Sequence, residues 1–493
     1  MASSSRRQLA FYFAGSIANN ALSFILLPLY LRHLSPAEFG VVSVLTTLNV
    51  VVGTLATAGI LSGLTRLYYE QEEQQRKAMV GTVIIWVAGI SALVGMLLLL
   101  TAAPLSRLLF KDAAHPATVR VAILLLATTG FQYTLLSILR LNMRAAGFVV
   151  VSLTGLLLDA GLKVYFIVVE RKGAEGYFLA ALISTAVTVA LALGASWRDI
   201  RWVLDLSYLR RLLALGAPFI LTAFLMWALD LSDNLLLNAI TGPVSVAIYS
   251  LAYKVATIFR VLMLAPLSLF WNPFFFDFGA SHGPEELRRL LSRSFELLGL
   301  AGVIGIVGVS AGSADLIRLL DGRDLYRQSA ALVPFLLLAP FLYALSFPAG
   351  TAILYAKEVR YTVYAMAGGV ALNVGLNLLL IPRFSFYGTT AGTVGGYSLY
   401  FLLISRYGQR CFPVRYDWAR LLKLTACGAI AVATSTAIPV WGSLPSLLLH
   451  ELTGFGVFML VALLVGAARW EDFRELRRLM QGLQLRSQQP ARS

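Results

Sequence analysis

The sequence predicts an all-α polytopic membrane protein of 14 transmembrane helices. They form two six-helix bundles related by a pseudo-two-fold axis, plus two C-terminal helices. Three observations carry this. The 493 residues are 58% hydrophobic and 13% charged, too little polar surface to cover a soluble core of that size. Apolar runs of about 20 residues recur from end to end, each long enough to cross a bilayer. The hexapeptide Leu158-Asp159-Ala160-Gly161-Leu162-Lys163 returns, in the middle of another apolar run, as Leu372-Asn373-Val374-Gly375-Leu376-Asn377, an offset of 214 positions.

The spans are expected near 9–31, 39–64, 79–101, 118–139, 147–169, 177–197, 213–240, 243–271, 294–317, 330–356, 361–382, 389–408, 421–441 and 446–468. The first is too long for a signal core and lacks a small-residue cleavage site, so it reads as a helix that stays. Segments on the side of the N-terminus carry about three times as many Lys and Arg as segments on the other side. This bias places both termini in the cytoplasm. Residues 198–212 and 469–483 mix apolar side chains with arginines and suit amphipathic helices lying on an anionic inner leaflet, with a solvated connector as the alternative. The expected organisation is therefore an N-terminal bundle at 1–197, an amphipathic cytoplasmic linker at 198–212, a C-terminal bundle at 213–408, two further spans at 409–468 and an amphipathic tail at 469–493.

A second correspondence supports the two halves. Pro36-Ala37-Glu38-Phe39-Gly40-Val41-Val42-Ser43 follows span one, and Pro243-Val244-Ser245-Val246-Ala247-Ile248-Tyr249-Ser250 follows span seven. Each copy places Pro where a helix starts. Six spans per unit is an even number, so the halves share one topology and the axis runs along the membrane normal. Two such bundles leave a central cavity, and polar residues within spans are the candidates to line it.

Asp159 and Lys163, i,i+4 on span five, can pair on one helix face about 18–24 Å from its cytoplasmic end. They read equally as a pair that opens during transport and as a static lock between helices. Asp230 and Asp233, i,i+3 on span seven, share a face. Two close carboxylates in low dielectric resist ionising together, which suits proton coupling; a polar helix end is the alternative, most of all for Asp233. Counting twelve residues either way from Gly242 reaches Asp230 and Lys254, so a hairpin puts both roughly 18 Å below the turn as candidate partners. Arg260 lies deeper. A lysine and an arginine in one span suit an anionic, phosphate-bearing substrate; snorkelling is the alternative, above all for Arg260. Asn19, Asn20, Asn49, Asn373 and Asn377 are softer positions. Helix–helix hydrogen bonding accounts for most such residues, and Asn19 and Asn49 are carried as cavity candidates.

Several classes are excluded or disfavoured. The sequence has no GxxxxGK[ST] phosphate loop and no HExxH. Cys411 and Cys427 with four scattered His give no metal-ligand spacing and no expected disulfide. The formal charge of +15 is read as cytoplasmic-loop arginine rather than nucleic-acid binding. No catalytic residue, metal or cofactor is expected.

Particular stretches carry a family resemblance. They are Leu27-Pro28-Leu29-Tyr30-Leu31 through Leu34-Ser35-Pro36-Ala37-Glu38-Phe39-Gly40, and Gly63-Leu64-Thr65-Arg66-Leu67-Tyr68-Tyr69-Glu70. In the second half they are Ser232-Asp233-Asn234, Ile248-Tyr249-Ser250-Leu251-Ala252-Tyr253-Lys254, and Leu376-Asn377-Leu378-Leu379-Leu380-Ile381-Pro382 with Tyr387-Gly388. On these the chain resembles the polysaccharide-transporter branch (Wzx-type lipid-linked oligosaccharide flippases) of the multidrug/oligosaccharidyl-lipid/polysaccharide exporter superfamily. The resemblance covers spans one to twelve. It implies a MATE-like, V-shaped pair of bundles working by alternating access. It also implies a polyprenyl-diphosphate-linked sugar moved from the inner to the outer leaflet, with ion-gradient coupling by analogy. Asp233 falls in the family's Ser-Asp-Arg-like stretch, where Asn234 here replaces the usual arginine and puts a local ion pair in doubt. Asn377 matches an asparagine that looks structural. The resemblance further implies a plasma (inner) membrane location, a monomer, and a polysaccharide polymerase or ligase as possible neighbours. A lipid II flippase and a drug/cation antiporter of the same superfamily are the alternative readings. A non-transporting scaffold or polymerase subunit is disfavoured by the short outer loops.

Overall fold

The fold was obtained as a computed structural model, which describes residues 22, 24–111, 115–472 and 474. The described residues are helical almost throughout, and eleven helices among them are long and apolar enough to cross a membrane. These match eleven of the fourteen expected spans. Two further long helices, Phe386–Cys411 and Trp418–Thr436, fall where spans twelve and thirteen are expected. The first expected span lies mostly outside the described residues and is represented by its last turns, α1 (Leu27–His33).

Close contacts divide the chain into two compact units, one up to Ala247 and one from Ile248. The first contains α1, α2 (Pro36–Leu67), α3 (Glu73–Leu100), α4 (Ala102–Phe110), α5 (Pro116–Leu141), α6 (Ala145–Val164), α7 (Gly173–Ser196) and α8 (Leu206–Thr241). The start of α2 is set as the sequence suggests. Pro36 occupies its first turn, and Ser35 and Glu38 form a reciprocal capping box, the Glu38 N–H donating to Ser35 Oγ at 3.2 Å and the Ser35 N–H to Glu38 Oε2 at 2.9 Å. Helices α2 and α8 run against each other, and glycines permit the approach: a Cβ on Gly216 would lie 1.7 Å from the Gly59 carbonyl oxygen. Leu64, Met79, Val83, Leu135, Leu139 and Leu212 form part of the main apolar core of this unit.

Residues 198–212 depart from the expected amphipathic helix. A short 3₁₀ turn (Trp197–Asp199) leads into an extended run, and helix starts only at Leu206, with the Asp205 carboxylate capping it through the Ser207 N–H at 2.8 Å. The Ser207 hydroxyl and N–H hold the Asp205 carboxyl below its usual range. The extended run forms because its backbone finds partners on α3: the Arg201 N–H donates to the Lys77 carbonyl at 3.0 Å, and Thr82 Oγ1 bridges Val203 and Asp205.

The second unit contains α9 (Pro243–His282, begun in the first unit), α10 (Pro284–Ser310), α11 (Ser313–Asp321), α12 (Arg327–Leu336), α13 (Leu338–Leu345), α14 (Phe347–Tyr355), α15 (Arg360–Phe384), α16 (Phe386–Cys411), α17 (Trp418–Thr436) and α18 (Leu444–Leu464). Expected span ten is one bent membrane crossing made of α12 to α14; Pro334, Pro340 and Pro348 each remove a backbone donor from it. Helix α9 continues past its expected end at 271 to His282. It runs about 60 Å, more than a bilayer's thickness. Its last turns have a reason to persist: Trp271 and Phe275 pack with Leu287, Leu291, Ala352, Phe412 and Val414.

The expected tail beyond 474 lies outside the described residues. Its beginning is tied to this unit by an ion cluster in which Asp472 pairs with Arg420 and, at 2.7 Å, with Arg293, while Glu296 pairs with both arginines. Burial alone would raise the Asp472 carboxyl, but the Arg469 N–H and the two guanidiniums outweigh it and hold it below the usual carboxylate range. Cys411 and Cys427 are free.

Candidate functional site

The structure brings Asp159 and Lys163 together on α6, with Nζ 2.7 Å from Oδ2. Their spacing of four residues makes them neighbours on one face, and α7, which lies against α6, completes the surroundings. Ser184 Oγ donates to Asp159 Oδ1 at 3.4 Å. The ammonium also lies 4.0 Å from the centroid of the Tyr177 ring, which meets Tyr30 edge-to-face at 5.4 Å. Lys163 is thus a buried cation held by a carboxylate and an aromatic face, the two kinds of partner that offset its desolvation. Lys163 is 9% exposed along its side chain, whereas Asp159 keeps 24%. One residue beyond Val164 the helix widens into a π-helical turn, Tyr165–Val169, an irregularity that clusters at functional places. Sequence reasoning missed Tyr30, Tyr177 and Ser184. Ser184 sits in an apolar run, Tyr30 and Tyr177 lie at run ends two residues from Arg32 and Glu175, and nothing beside them points to Lys163, although Tyr30 lies in one of the family-like stretches.

The second polar region of this unit lies along α2 and α8. Asn234 donates to Thr47 Oγ1 at 2.9 Å, so the residue standing where the family has arginine makes a neutral bond inside the unit. Asn49 donates back to the Leu45 carbonyl at 2.9 Å, and its buried Oδ1 has no hydrogen-bond partner among the described residues. That orphaned acceptor fits a group waiting for a donor. Asp233 is buried and Asp230 half-buried, so burial does not support an exposed helix end for Asp233. Asn19 lies outside the described residues.

In the second unit Lys254 and Arg260 are half-buried on α9. The Arg260 guanidinium donates to the Tyr253 hydroxyl at 3.3 Å, Tyr253 and Tyr249 rings are 6.0 Å apart, and Tyr249 Oη meets Thr393 Oγ1 at 3.0 Å. One bond of Arg260 is thus to a tyrosine of its own helix, seven residues earlier. Asn373 and Asn377 are fully buried between α15 and α16, where the Asn377 amide donates to Asn373 Oδ1 at 3.3 Å. A Cβ on Gly392 would lie 2.3 Å from Asn377 Oδ1, so glycine is what admits the amide there. Chemically, one unit presents an ammonium in an aromatic setting and the other a lysine and arginine beside tyrosines. Both suit phosphate and sugar, which tyrosine faces and cations recognise.

Comparison with known proteins agrees with this frame. A family model described as "Polysaccharide biosynthesis protein" matches residues 30–325, which include every candidate residue except Asn19, Asn20 and the two second-copy asparagines. The lipid III flippases of Escherichia coli (strain K12) and Shigella flexneri are each 32% identical over 203 residues, 41% of this chain and 48% of theirs. The chain thus matches these curated relatives over about half their length. Among solved structures, the lipid II flippase MurJ in its inward closed conformation superposes with a TM-score of 0.72, over 92% of this chain and 98% of that one, at 12% identity. An inward-facing multidrug resistance MATE family transporter of the MOP superfamily gives 0.64, over 79% and 94%, at 18% identity. At such identities the structures establish the expected all-helical fold. The match to residues 30–325 takes in more than half of the chain, and the chain belongs to the polysaccharide biosynthesis protein family.

Proposed function

We propose that this protein is a flippase. It moves a polyprenyl-diphosphate-linked oligosaccharide from the inner to the outer leaflet by alternating access, for assembly of a cell-surface polysaccharide. The carrying observation is that the family match spans cationic, tyrosine-flanked sites in both units: Lys163 with Tyr177 and Tyr30, and Lys254 and Arg260 with Tyr253. Lys254 and Arg260 grip the diphosphate, and Asn49 donates or accepts toward the sugar. Asp230, Asp233 and Asp159 couple the cycle to an ion gradient, Asp230 pairing with Lys254 when substrate is absent. The six-helix bundles 1–197 and 213–408 that the repeat defines are the moving halves, with α8 of the second resting on α2 of the first in this state, 198–212 as linker, 409–468 as an appendage and 469–493 as a cytoplasmic tail. The protein sits in the plasma (inner) membrane as a monomer with both termini inside, supplying a polymerase or ligase on the far side.

The test is deletion followed by mass spectrometry of lipid-linked sugars. A polyprenyl-diphosphate oligosaccharide should accumulate, and a Lys254→Ala chain should fail to clear it while Lys254→Arg clears part. Accumulation of lipid II would assign the alternative substrate. Full clearance by the alanine variant would remove Lys254 from the site, and no accumulating lipid-linked sugar at all would overturn the flippase reading.

A further inference from the structure

The segment joining α7 to α8 carries an unusual surface. Trp197, Trp202 and Leu206 are 56%, 46% and 69% exposed, with Val203 and Leu204 exposed beside them. Arg198, Arg201, Arg210 and Arg211 are exposed on the same stretch, and none of the four forms a salt bridge among the described residues. The two acids of the stretch have other partners as well, and of the four arginines Arg211 acts on Asp205. Asp199 accepts from Arg144 and from Asn142, each at 3.0 Å, and Asp205 caps α8. Five exposed apolar side chains form a patch that water disfavours, and the four cations beside it give that patch a positive field.

The backbone fixes where this surface lies. Arg201 is bonded to the carbonyl of Lys77 and the next residues to Thr82, and the carbonyl of Arg201 sits where a Cβ on Gly81 would be, 1.8 Å away. Along α3, Lys77 is the last charged residue before the apolar run starting at Ala78. Along α8, Arg210 and Arg211 precede the apolar window that begins at Phe219. Both flanking helices therefore place the segment at the change from polar to apolar, which is the headgroup level of a bilayer. Tryptophan and arginine are the side chains that this level favours.

We infer that residues 197–211 are a headgroup-binding strap. Trp197 and Trp202, with ring centroids 5.4 Å apart, enter the ester region of the leaflet, and Arg198, Arg201, Arg210 and Arg211 bind the phosphates of anionic glycerophospholipids. Because the strap is bonded to α3 and runs directly into α8, bound lipid fixes the level of both helices in the membrane.

The experiment uses the purified full-length chain in neutral detergent, titrated with phosphatidylglycerol, phosphatidylcholine or farnesyl diphosphate while the thermal midpoint is followed. Phosphatidylglycerol should raise the midpoint. The combined Arg198→Gln, Arg201→Gln, Arg210→Gln and Arg211→Gln chain should need at least about tenfold more of it, whereas the corresponding four-lysine chain should respond as the parent does. In vesicles, brominated phosphatidylglycerol should quench a share of the tryptophan fluorescence that is missing from Trp197→Phe/Trp202→Phe, an arm that leaves the arginines intact if the glutamine chain does not fold. Four outcomes would overturn the inference: an equal response to phosphatidylcholine, an unchanged response of the glutamine chain, unchanged quenching in the phenylalanine chain, or an arginine-dependent response to farnesyl diphosphate alone, which would mark a substrate-type diphosphate site.

Discussion

The two copies of the hexapeptide sit in helices of the same kind and meet opposite environments. In the first, Asp159 and Lys163 form an ion pair, Ser184 hydrogen-bonds the carboxylate, Tyr177 faces the ammonium, and the carboxylate keeps 24% exposure. In the second, Asn373 and Asn377 are 0% exposed and closed over by Gly392. The chemistry explains the difference. Removing two charges from water costs several kcal/mol per ion, so a charged pair keeps polar company. Amides carry no such penalty once bonded and can be sealed in a dry helix seam. The π-helical turn follows only the charged copy; the second copy's helix continues to Phe384. The first copy is thus a charged pair in polar company, and the second a neutral pair in a closed seam.

The sharpest way to break this contrast is to strand one charge. Lys163→Ala leaves Asp159 uncompensated. Loss of one partner of a buried pair costs about 3–5 kcal/mol, and the partial exposure of Asp159 puts the expected loss at the low end. Asp159→Asn with Lys163→Asn turns the first copy into the second. It should recover part of the stability, because neither charge is then left stranded, while transport stays impaired. Thermal midpoints in detergent together with a vesicle transport assay would show it. A double variant that transports at the parental rate would make the pair a structural lock and nothing more.

Much of this is readable in the sequence, and the failures have physical causes. The spans, the capping box at Ser35 and Glu38 and the Asp159–Lys163 pair follow from local rules: apolar length, a reciprocal cap, and a spacing of four. The path of 198–212 does not. Its composition fits a helix, but backbone partners on α3 at Lys77 and Thr82, 120 or so positions earlier, hold it extended. The length of α9 exceeds its expected span for a related reason: its last turns are held by Leu287, Ala352 and Phe412, which no window around 271 contains. Tyr30 and Tyr177 lie at the ends of apolar runs beside Arg32 and Glu175, where an aromatic looks alike whether it faces lipid or a buried ammonium.

The next contrast concerns how tightly each copy is enclosed. A methyl group on Gly392 would strike Asn377 Oδ1 at 2.3 Å and Cγ at 2.9 Å and press on the Asn373 carbonyl oxygen at 3.3 Å, whereas a methyl group on Gly155 would come closer than 3.4 Å to one atom, Thr188 Oγ1 at 2.2 Å. Gly392→Ala should therefore lower stability by about 1–3 kcal/mol, the usual range for overpacking, and Gly155→Ala by less. Equal losses at the two sites would mean that the seams around the two copies are equally rigid.

The smallest expected effect tests the amide copy itself. The Asn377–Asn373 bond is 3.3 Å long and lies within one helix, so it contributes little to holding α15 against its neighbour. Hydrogen bonds of polar side chains inside membrane proteins average about 0.6 kcal/mol. Asn373→Ala with Asn377→Ala should lower the thermal midpoint only slightly and leave transport close to the parental rate. A chain that keeps its midpoint but loses transport as deeply as Lys163→Ala would give the amides a working role. The asymmetry between the halves would then be one of charge alone.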